Sequence, residues 1–299
     1  MLEILGLIFF GFVVGGYGTL VGIGGGPLII PVLATFYRYD VPTVVATSML
    51  VIFCNTLSGT VAYWRERRID IVSGTKFGLA SIPGALLSVL AVAHVHVNVF
   101  SFLFGFFLLI LALYVFLYPV TAEYTNLAVS NWWGGIANLR RPSRTRLAWG
   151  SEFLGPSTSS SSQFVTRRIE DCSGHCFSYQ VNESLGIWLA VGIGAFSTFL
   201  GIGGGLIMVP VLIYMLSFPV HVAMATSHYI TAINAGFTLI PLLSQGAIPW
   251  NIALYIAGGA IFGAQIGAKL SGRLCGKRLL QLLTPVFLLA AIKLMFFNF

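Results

Sequence analysis

The sequence predicts an all-α integral membrane protein built from two inverted-topology repeats, each with a broken or re-entrant helix pair plus three transmembrane helices. Three observations carry that expectation. The chain is too apolar for a water-facing surface: of its 299 residues 57% are hydrophobic and 8% are charged, against roughly 25% charged in soluble domains. Continuous apolar runs recur at about 20 residues, the length that crosses a bilayer as a helix, without the alternation of a membrane β-barrel. One phrase also occurs twice. Gly22-Ile23-Gly24-Gly25-Gly26 leads to Pro31-Val32-Leu33, and 179 positions later Gly201-Ile202-Gly203-Gly204-Gly205 leads to Pro210-Val211-Leu212.

The first repeat, residues 1–118, holds apolar segments at 3–20, 27–36, 42–63, 71–93 and 98–118. The second, residues 184–299, holds them at 184–200, 206–216, 219–243, 250–270 and 279–298. The offset continues without a gap: Ala46-Thr47-Ser48 matches Ala225-Thr226-Ser227, Asn55 matches Asn234, and Gly84-Ala85 matches Gly263-Ala264. Residues 119–183 form a linker rich in Ser, Arg and Gly. Its Ser157–Ser162 stretch is of low complexity, so the linker is expected to be partly disordered. Leu127–Leu139, with Trp132 and Trp133, is expected along the membrane surface, where tryptophan concentrates. The N-terminal segment has Glu3 where a secretion signal would be basic, and reads as retained.

The net charge of +7 reads as cytoplasmic loop charge, not as a nucleic-acid footprint, because the basic residues cluster between spans. Arg65-Glu66-Arg67-Arg68 places the loop after 42–63 inside, whereas its counterpart Ser244–Trp250 is uncharged. The next pair of loops reverses: His94–Asn98 has no lysine or arginine, whereas Lys269, Arg273, Lys277 and Arg278 cluster around its second-half mate. Arg140, Arg141, Arg144, Arg146, Arg167 and Arg168 place the linker in the cytoplasm, and both termini fall outside. Segments 1–37 and 184–216 must then enter and leave on the same side, each glycine cluster being the tip of a re-entrant hairpin. The competing arrangement makes each broken segment one full crossing, gives parallel repeats, and puts the Lys269–Arg278 cluster outside.

A broken helix leaves backbone N–H groups unpaired at the start of its second part. Within a bilayer such a break survives only against protein or a water-filled cavity. Pro27 suits the first turn of a restarting helix, and each restart directs about half a positive charge at its tip. Two facing helix starts make an anion site without formal charge; hence Gly24, Gly25, Gly26, Gly203, Gly204 and Gly205 are candidate substrate-binding residues. Tight helix packing by small residues is the plainer reading of the same glycines. Ser227, Thr231, Asn234 and Thr238 line one helical face, with Ser48, Asn55 and Gly59 in matching places. Thr47, Ser48, Asn55, Thr226, Ser227 and Asn234 are thus candidates to line the path, or else ordinary interhelical hydrogen-bonding groups. His228, whose mate is Met49, is a candidate for proton coupling. No Asp or Glu lies mid-span, which argues against a cationic substrate. Cys172-Ser-Gly-His175-Cys176 offers three soft ligands where a closed zinc site takes four, so no metal and no cofactor is expected.

The duplicated glycine phrase, the Ala-Thr-Ser and asparagine that follow it, and the two-half layout resemble the TauE/SafE family of membrane permeases over about 1–118 and 184–298. The resemblance implies export of sulfite or transport of organosulfur anions. The expectation is a secondary transporter for a small sulfur-containing oxyanion, such as sulfite or an organosulfonate, in the cell membrane. An anion channel on the same scaffold, or a transporter of another small anion, stays open. An enzyme lacks candidate catalytic groups, and a sensor lacks a folded linker. The partners expected are a small anionic substrate and the lipid bilayer, with a homodimer through the phenylalanine-rich segment 98–118 left open.

Overall fold

A computed structural model of the chain describes residues 2–92, 95, 97–117, 164–170, 172, 176–246 and 248–272. The expected surface segment Leu127–Leu139, the Ser157–Ser162 stretch and the last span, 279–298, lie outside the described residues. The first half contributes α1 (Leu2–Val21), α2 (Gly26–Phe36), α3 (Val41–Arg65), α4 (Ile71–Val92) and α5 (Val97–Leu117). An antiparallel hairpin follows, β1 (Phe164–Glu170) with β2 (Cys176–Asn182), pairing Phe164 with Asn182 and Glu170 with Cys176. It leads into α6 (Glu183–Phe199), α7 (Gly205–Pro210), a π-helical turn at Val211–Met215, α8 (Val220–Ser244) and α9 (Trp250–Ser271). Pro31 is absorbed within α2, whereas its mate Pro210 hands over to the π turn, a local widening that accommodates a missing helical N–H.

Backbone geometry repeats with the sequence. Among the described residues the left-handed positions are Gly22, Gly24, Gly25, Arg38, Arg67, Gly201, Gly203, Gly204, Ser217 and Gly246. They fall into five pairs, each 179 residues apart. Both glycine clusters therefore interrupt their helices in the same way, and the turns that follow are built alike.

Successive contacts fix the helix directions. Gly11 abuts Ile256 and Gly15 abuts Ala260, so α1 and α9 run the same way; a Cβ on Gly11 would lie 2.1 Å from the Ile256 carbonyl oxygen. Ser58 meets Ile261 and Gln265, and Ala62 and Tyr63 cluster with Ala268, so α3 runs with them. The other set is α4, α6 and α8. Gly74 meets Tyr229 and Gly78 meets Ile233, while Gly186 meets Phe77 and Gly194 meets Ser81. The sets oppose each other, because Phe53 packs on Gly236 while Gly59 packs on His228. The second helix of each broken pair runs back against its neighbour. Gly24 touches Thr56 and Ile52 while Ile30 reaches Val45 beside Gly201, and Val209 meets Met224 beside Gly22. Each half thus lends a helix to the other: α4 packs with α6 and α8, and α9 with α1 and α3.

The protein is polar inside and apolar outside. Thr19, Ser48, Asn55, Ser81, Thr198, Ser227, His228 and Asn234 are buried, whereas Phe9, Leu87, Leu90, Trp188 and Phe262 are exposed. That is the distribution expected of a lipid-facing bundle, where polar groups mark the interior. Four helices among the described residues, α1, α3, α4 and α9, are long and apolar enough to cross a membrane. The chain is an integral membrane protein of mostly helical fold. α8 matches the 25-residue length of α3.

The linker, expected to be partly disordered, carries this folded hairpin at its C-terminal end. Tyr179 and Val181 turn inward, and the Tyr179 hydroxyl donates to Asp70 Oδ2 at 2.9 Å. The Tyr179 ring lies 4.7 Å from that of Phe218. Cys172 docks on the end of α3, its thiol donating to the Arg65 carbonyl at 3.3 Å. Glu183, at the start of α6, pairs with both Arg167 and Lys76. Asn182 caps α6 by accepting from the Leu185 N–H at 3.1 Å, the usual role of an N-cap amide.

Candidate functional site

Each tip closes with the same turn. The Gly22 N–H donates to the Thr19 carbonyl at 3.1 Å and the Ile23 N–H to the Gly18 carbonyl at 2.7 Å; in the second half Gly201 bonds Thr198 at 2.9 Å and Ile202 bonds Ser197 at 2.8 Å. Gly25, at φ 91°, and Gly204, at φ 96°, cap the restarting helices. A residue with a Cβ is strained there. Among the described residues the N–H groups of Gly25, Gly26, Gly204 and Gly205 take no part in these turns.

The two tips touch. A Cβ on Gly26 would lie 2.8 Å from the Ile202 carbonyl oxygen, and one on Gly205 would lie 2.7 Å from the Ile23 carbonyl oxygen. The contact is reciprocal, each helix start resting on the other tip's loop. Two serines tie it together from opposite helices. Ser48 Oγ donates to the Gly201 carbonyl at 2.8 Å, and Ser227 Oγ lies 3.3 Å from the carbonyls of Gly22 and Gly205. Gly24 and Gly203 share the same flanking side chains, Ile52 and Thr231. The cavity beside the first tip, lined by Tyr17, Gly18, Ile23, Gly25, Pro27 and Leu28, measures about 10 Å³. That holds one water at most, and the reciprocal contact of Gly26 with Ile202 and of Gly205 with Ile23 leaves the tips closed on each other.

The asparagines differ between halves. Asn55 Nδ2 donates to the Gly24 carbonyl at 3.0 Å and its Oδ1 accepts from Thr19 Oγ1 at 3.2 Å. Asn234 Oδ1 accepts from Thr198 Oγ1 at 3.3 Å, but its Nδ2 turns to Ser81 Oγ at 3.0 Å instead of to its own tip. Thr19 and Thr198 are a repeat pair absent from the sequence-derived set, although each stands three residues before its first tip glycine. Thr47 and Thr226 are buried but serve elsewhere. Thr47 Oγ1 donates to the Thr43 carbonyl at 2.7 Å, and Thr226 Oγ1 accepts from the Asp70 N–H at 3.0 Å. His228 is fully buried, with Nε2 3.1 Å from Thr19 Oγ1 and its ring edge-on to Tyr63 at 5.7 Å. The structure thus gathers eleven of the thirteen sequence candidates at or beside the two tips through neutral contacts, while Thr47 faces its own helix and Thr226 faces Asp70.

Comparison with known proteins identifies relatives over nearly the whole chain. The family described as Sulfite exporter TauE/SafE matches residues 7–294. A relative named "Probable membrane transporter protein YunE", from Bacillus subtilis, is 28% identical over 297 residues, covering 97% of this chain and 96% of its own. A second, "Probable membrane transporter protein MJ0441" from Methanocaldococcus jannaschii, is 24% identical over 300 residues, covering 94% and 91%. No solved structure matches. With a family match running over nearly its whole length, the chain belongs to the TauE/SafE family.

Proposed function

We propose that the protein is a secondary membrane transporter for a small sulfur-containing oxyanion, sulfite or an organosulfonate, with the anion held between the two glycine tips. The observation that carries this reading is the reciprocal meeting of two restarting helices, Gly26 on Ile202 and Gly205 on Ile23. Opposed helix starts suit an anion, and half-helix starts that meet at a repeat interface are the usual make-up of a transporter's binding site. Gly24–Gly26 and Gly203–Gly205 cradle the substrate, with the N–H groups of Gly25, Gly26, Gly204 and Gly205 turned to it, while Ser48, Ser227, Asn55 and Asn234 line its path. The closed tips part to admit the anion and meet again as it leaves.

The helix directions support two inverted repeats over 1–118 and 184–299. α1 and α3 run together with α2 returning between them, and α6 and α8 run together in the opposite sense. A parallel duplication would point α3 and α8 the same way, whereas their contacts oppose them. In this reading the hairpin of the linker, docked on the Arg65–Asp70 loop, is cytoplasmic in a cell-membrane protein with both termini outside.

The test is uptake into proteoliposomes. Sulfite and methanesulfonate should enter saturably and compete with each other, and Gly25→Val and Gly204→Val should abolish entry while the protein stays folded. Undiminished uptake by both variants refutes the site. Unitary currents without saturation favour a channel on this scaffold.

A further inference from the structure

The hydrogen bonds around His228 determine its tautomer. A carbonyl only accepts, so the Gly24 carbonyl requires Asn55 to face it with Nδ2, at 3.0 Å. Asn55 Oδ1 then faces Thr19 Oγ1, 3.2 Å away, which must donate its single proton. With that proton committed, Thr19 Oγ1 can only accept from His228, 3.1 Å away. His228 is therefore the neutral imidazole protonated on Nε2. Its other nitrogen, Nδ1, carries a bare lone pair with no hydrogen-bond partner in a fully buried side chain. Gly59 makes the space: a Cβ there would come within 2.6 Å of His228 Cδ2. The second half has neither part, since Met49 and Thr238 stand at the matching positions.

We propose that His228 Nδ1 is a proton-binding site, filled when the anion occupies the tips and empty when they close on each other. The inference rests on the anion-transporter reading above and assigns that site its coupling ion. One proton adds to the lone pair, no other bond changes, and the proton leaves by the same atom. The physical argument is reciprocity. A buried imidazolium with no counter-charge is strongly disfavoured, and so is an anion in a dry neutral cradle. Each relieves the other, and whatever proton binding does for anion affinity, anion binding does for proton affinity. The contact runs from the ring through Thr19 and Asn55 to the Gly24 carbonyl, so the first tip senses the charge. Among the described residues the ionisable groups on the surrounding elements are Tyr63 on α3, with Glu66 and Arg68 beyond it, and Asp70 at the start of α4, which reaches α8 through Thr226. α1 presents Thr19 to the ring, and α9 presents Ser271 toward the Tyr63 hydroxyl.

Two measurements test this on the full chain. Nitrogen NMR of histidine-labelled protein in nanodiscs should show one ring in the Nε2–H neutral form without anion and doubly protonated with saturating methanesulfonate in acidic buffer. That signal should vanish in His228→Gln. In proteoliposomes, methanesulfonate stays a monoanion, so carriage with one proton is electroneutral. Accumulation should rise about tenfold for each pH unit by which the outside is more acidic than the lumen and ignore membrane potential, whereas His228→Gln should lose the response to pH. A ring that stays neutral with anion bound overturns the proposal, as does saturable uptake that ignores the pH gradient. Absence of any sulfite or sulfonate uptake instead sinks the anion reading and the coupling with it.

Discussion

Replacing Gly26 by alanine adds one carbon at the start of α2 and ought to help a helix. Alanine is favoured over glycine there by about 1 kcal/mol on propensity alone. The structure predicts the opposite, because that carbon would lie 2.8 Å from the Ile202 carbonyl oxygen and 2.9 Å from Ile202 Cα, both backbone atoms of the facing tip. Neither can swing away, so the tips must part by a few tenths of an ångström. Overpacking of this kind costs about 1–3 kcal/mol, which leaves a net loss of up to about 2 kcal/mol after the propensity gain. The upper end of that range changes a two-state population about 30-fold, so uptake that passes through the closed tips should fall by up to that factor. Gly258→Ala is the control: it is helical with nothing within 4 Å of its Cβ, and it should be neutral or slightly stabilising. Gly205→Ala should copy Gly26→Ala, since its Cβ would meet the Ile23 and Gly22 carbonyl oxygens at 2.7 and 2.9 Å. One displacement of the tips accommodates both carbons, so the double variant should cost less than the sum of the singles. The assays are thermal unfolding of detergent-purified protein and methanesulfonate uptake. A Gly26→Ala protein as stable and active as Gly258→Ala, or a strictly additive double variant, would refute the contact between tips.

Asn55→Leu and Asn234→Leu should each lower stability by only about 0.6–1.7 kcal/mol, as for other interhelical polar contacts in membranes. Asn55→Leu should impair uptake more, because only Asn55 holds a tip carbonyl; equal uptake by the two variants would contradict this. Cys172 is exposed on the docked hairpin, so in a variant retaining only that cysteine an impermeant maleimide should label it after cells are permeabilised and not before. Labelling of intact cells would invert the orientation. Tyr179→Phe removes a buried hydrogen bond to the Asp70 carboxylate, a loss of about 1.5–3 kcal/mol. Burial, and then the Asp70 charge, push the Tyr179 phenol above its ordinary range. Its contribution is therefore complete below about pH 10 and is lost as pH rises further, so the Tm gap between wild type and Tyr179→Phe should hold through neutral pH and narrow only in strong alkali.

Much of the architecture was legible because it is local. Hydropathy locates the helices, with boundaries that fall within two residues of α1 to α4, α6, α8 and α9. A run of three glycines before a proline must break a helix wherever it occurs, and both runs do so. The hairpin was legible too: Val165, Arg167 and Ile169 alternate with Phe164, Thr166 and Arg168, and Phe177, Tyr179 and Val181 alternate with Ser178, Gln180 and Asn182. That period of two marks strands, but the serine-rich stretch before it drew the whole linker into one compositional class.

Sequence by itself determined the class of the protein, its duplication, and the places where the helices break, since each follows from residues within a few positions of one another. Tertiary structure alone decided what packs against those breaks. Ser48 reaches the Gly201 carbonyl, Asp70 meets both Thr226 and Tyr179, and His228 bonds Thr19, all between residues more than a hundred positions apart. Such partners depend on which helices the two halves exchange. Repeat symmetry could not foretell that Asn55 would hold its own tip while Asn234 turns to Ser81, because a pseudo-symmetric pair of asparagines fixes equivalent positions and leaves each amide to the neighbours that packing brings.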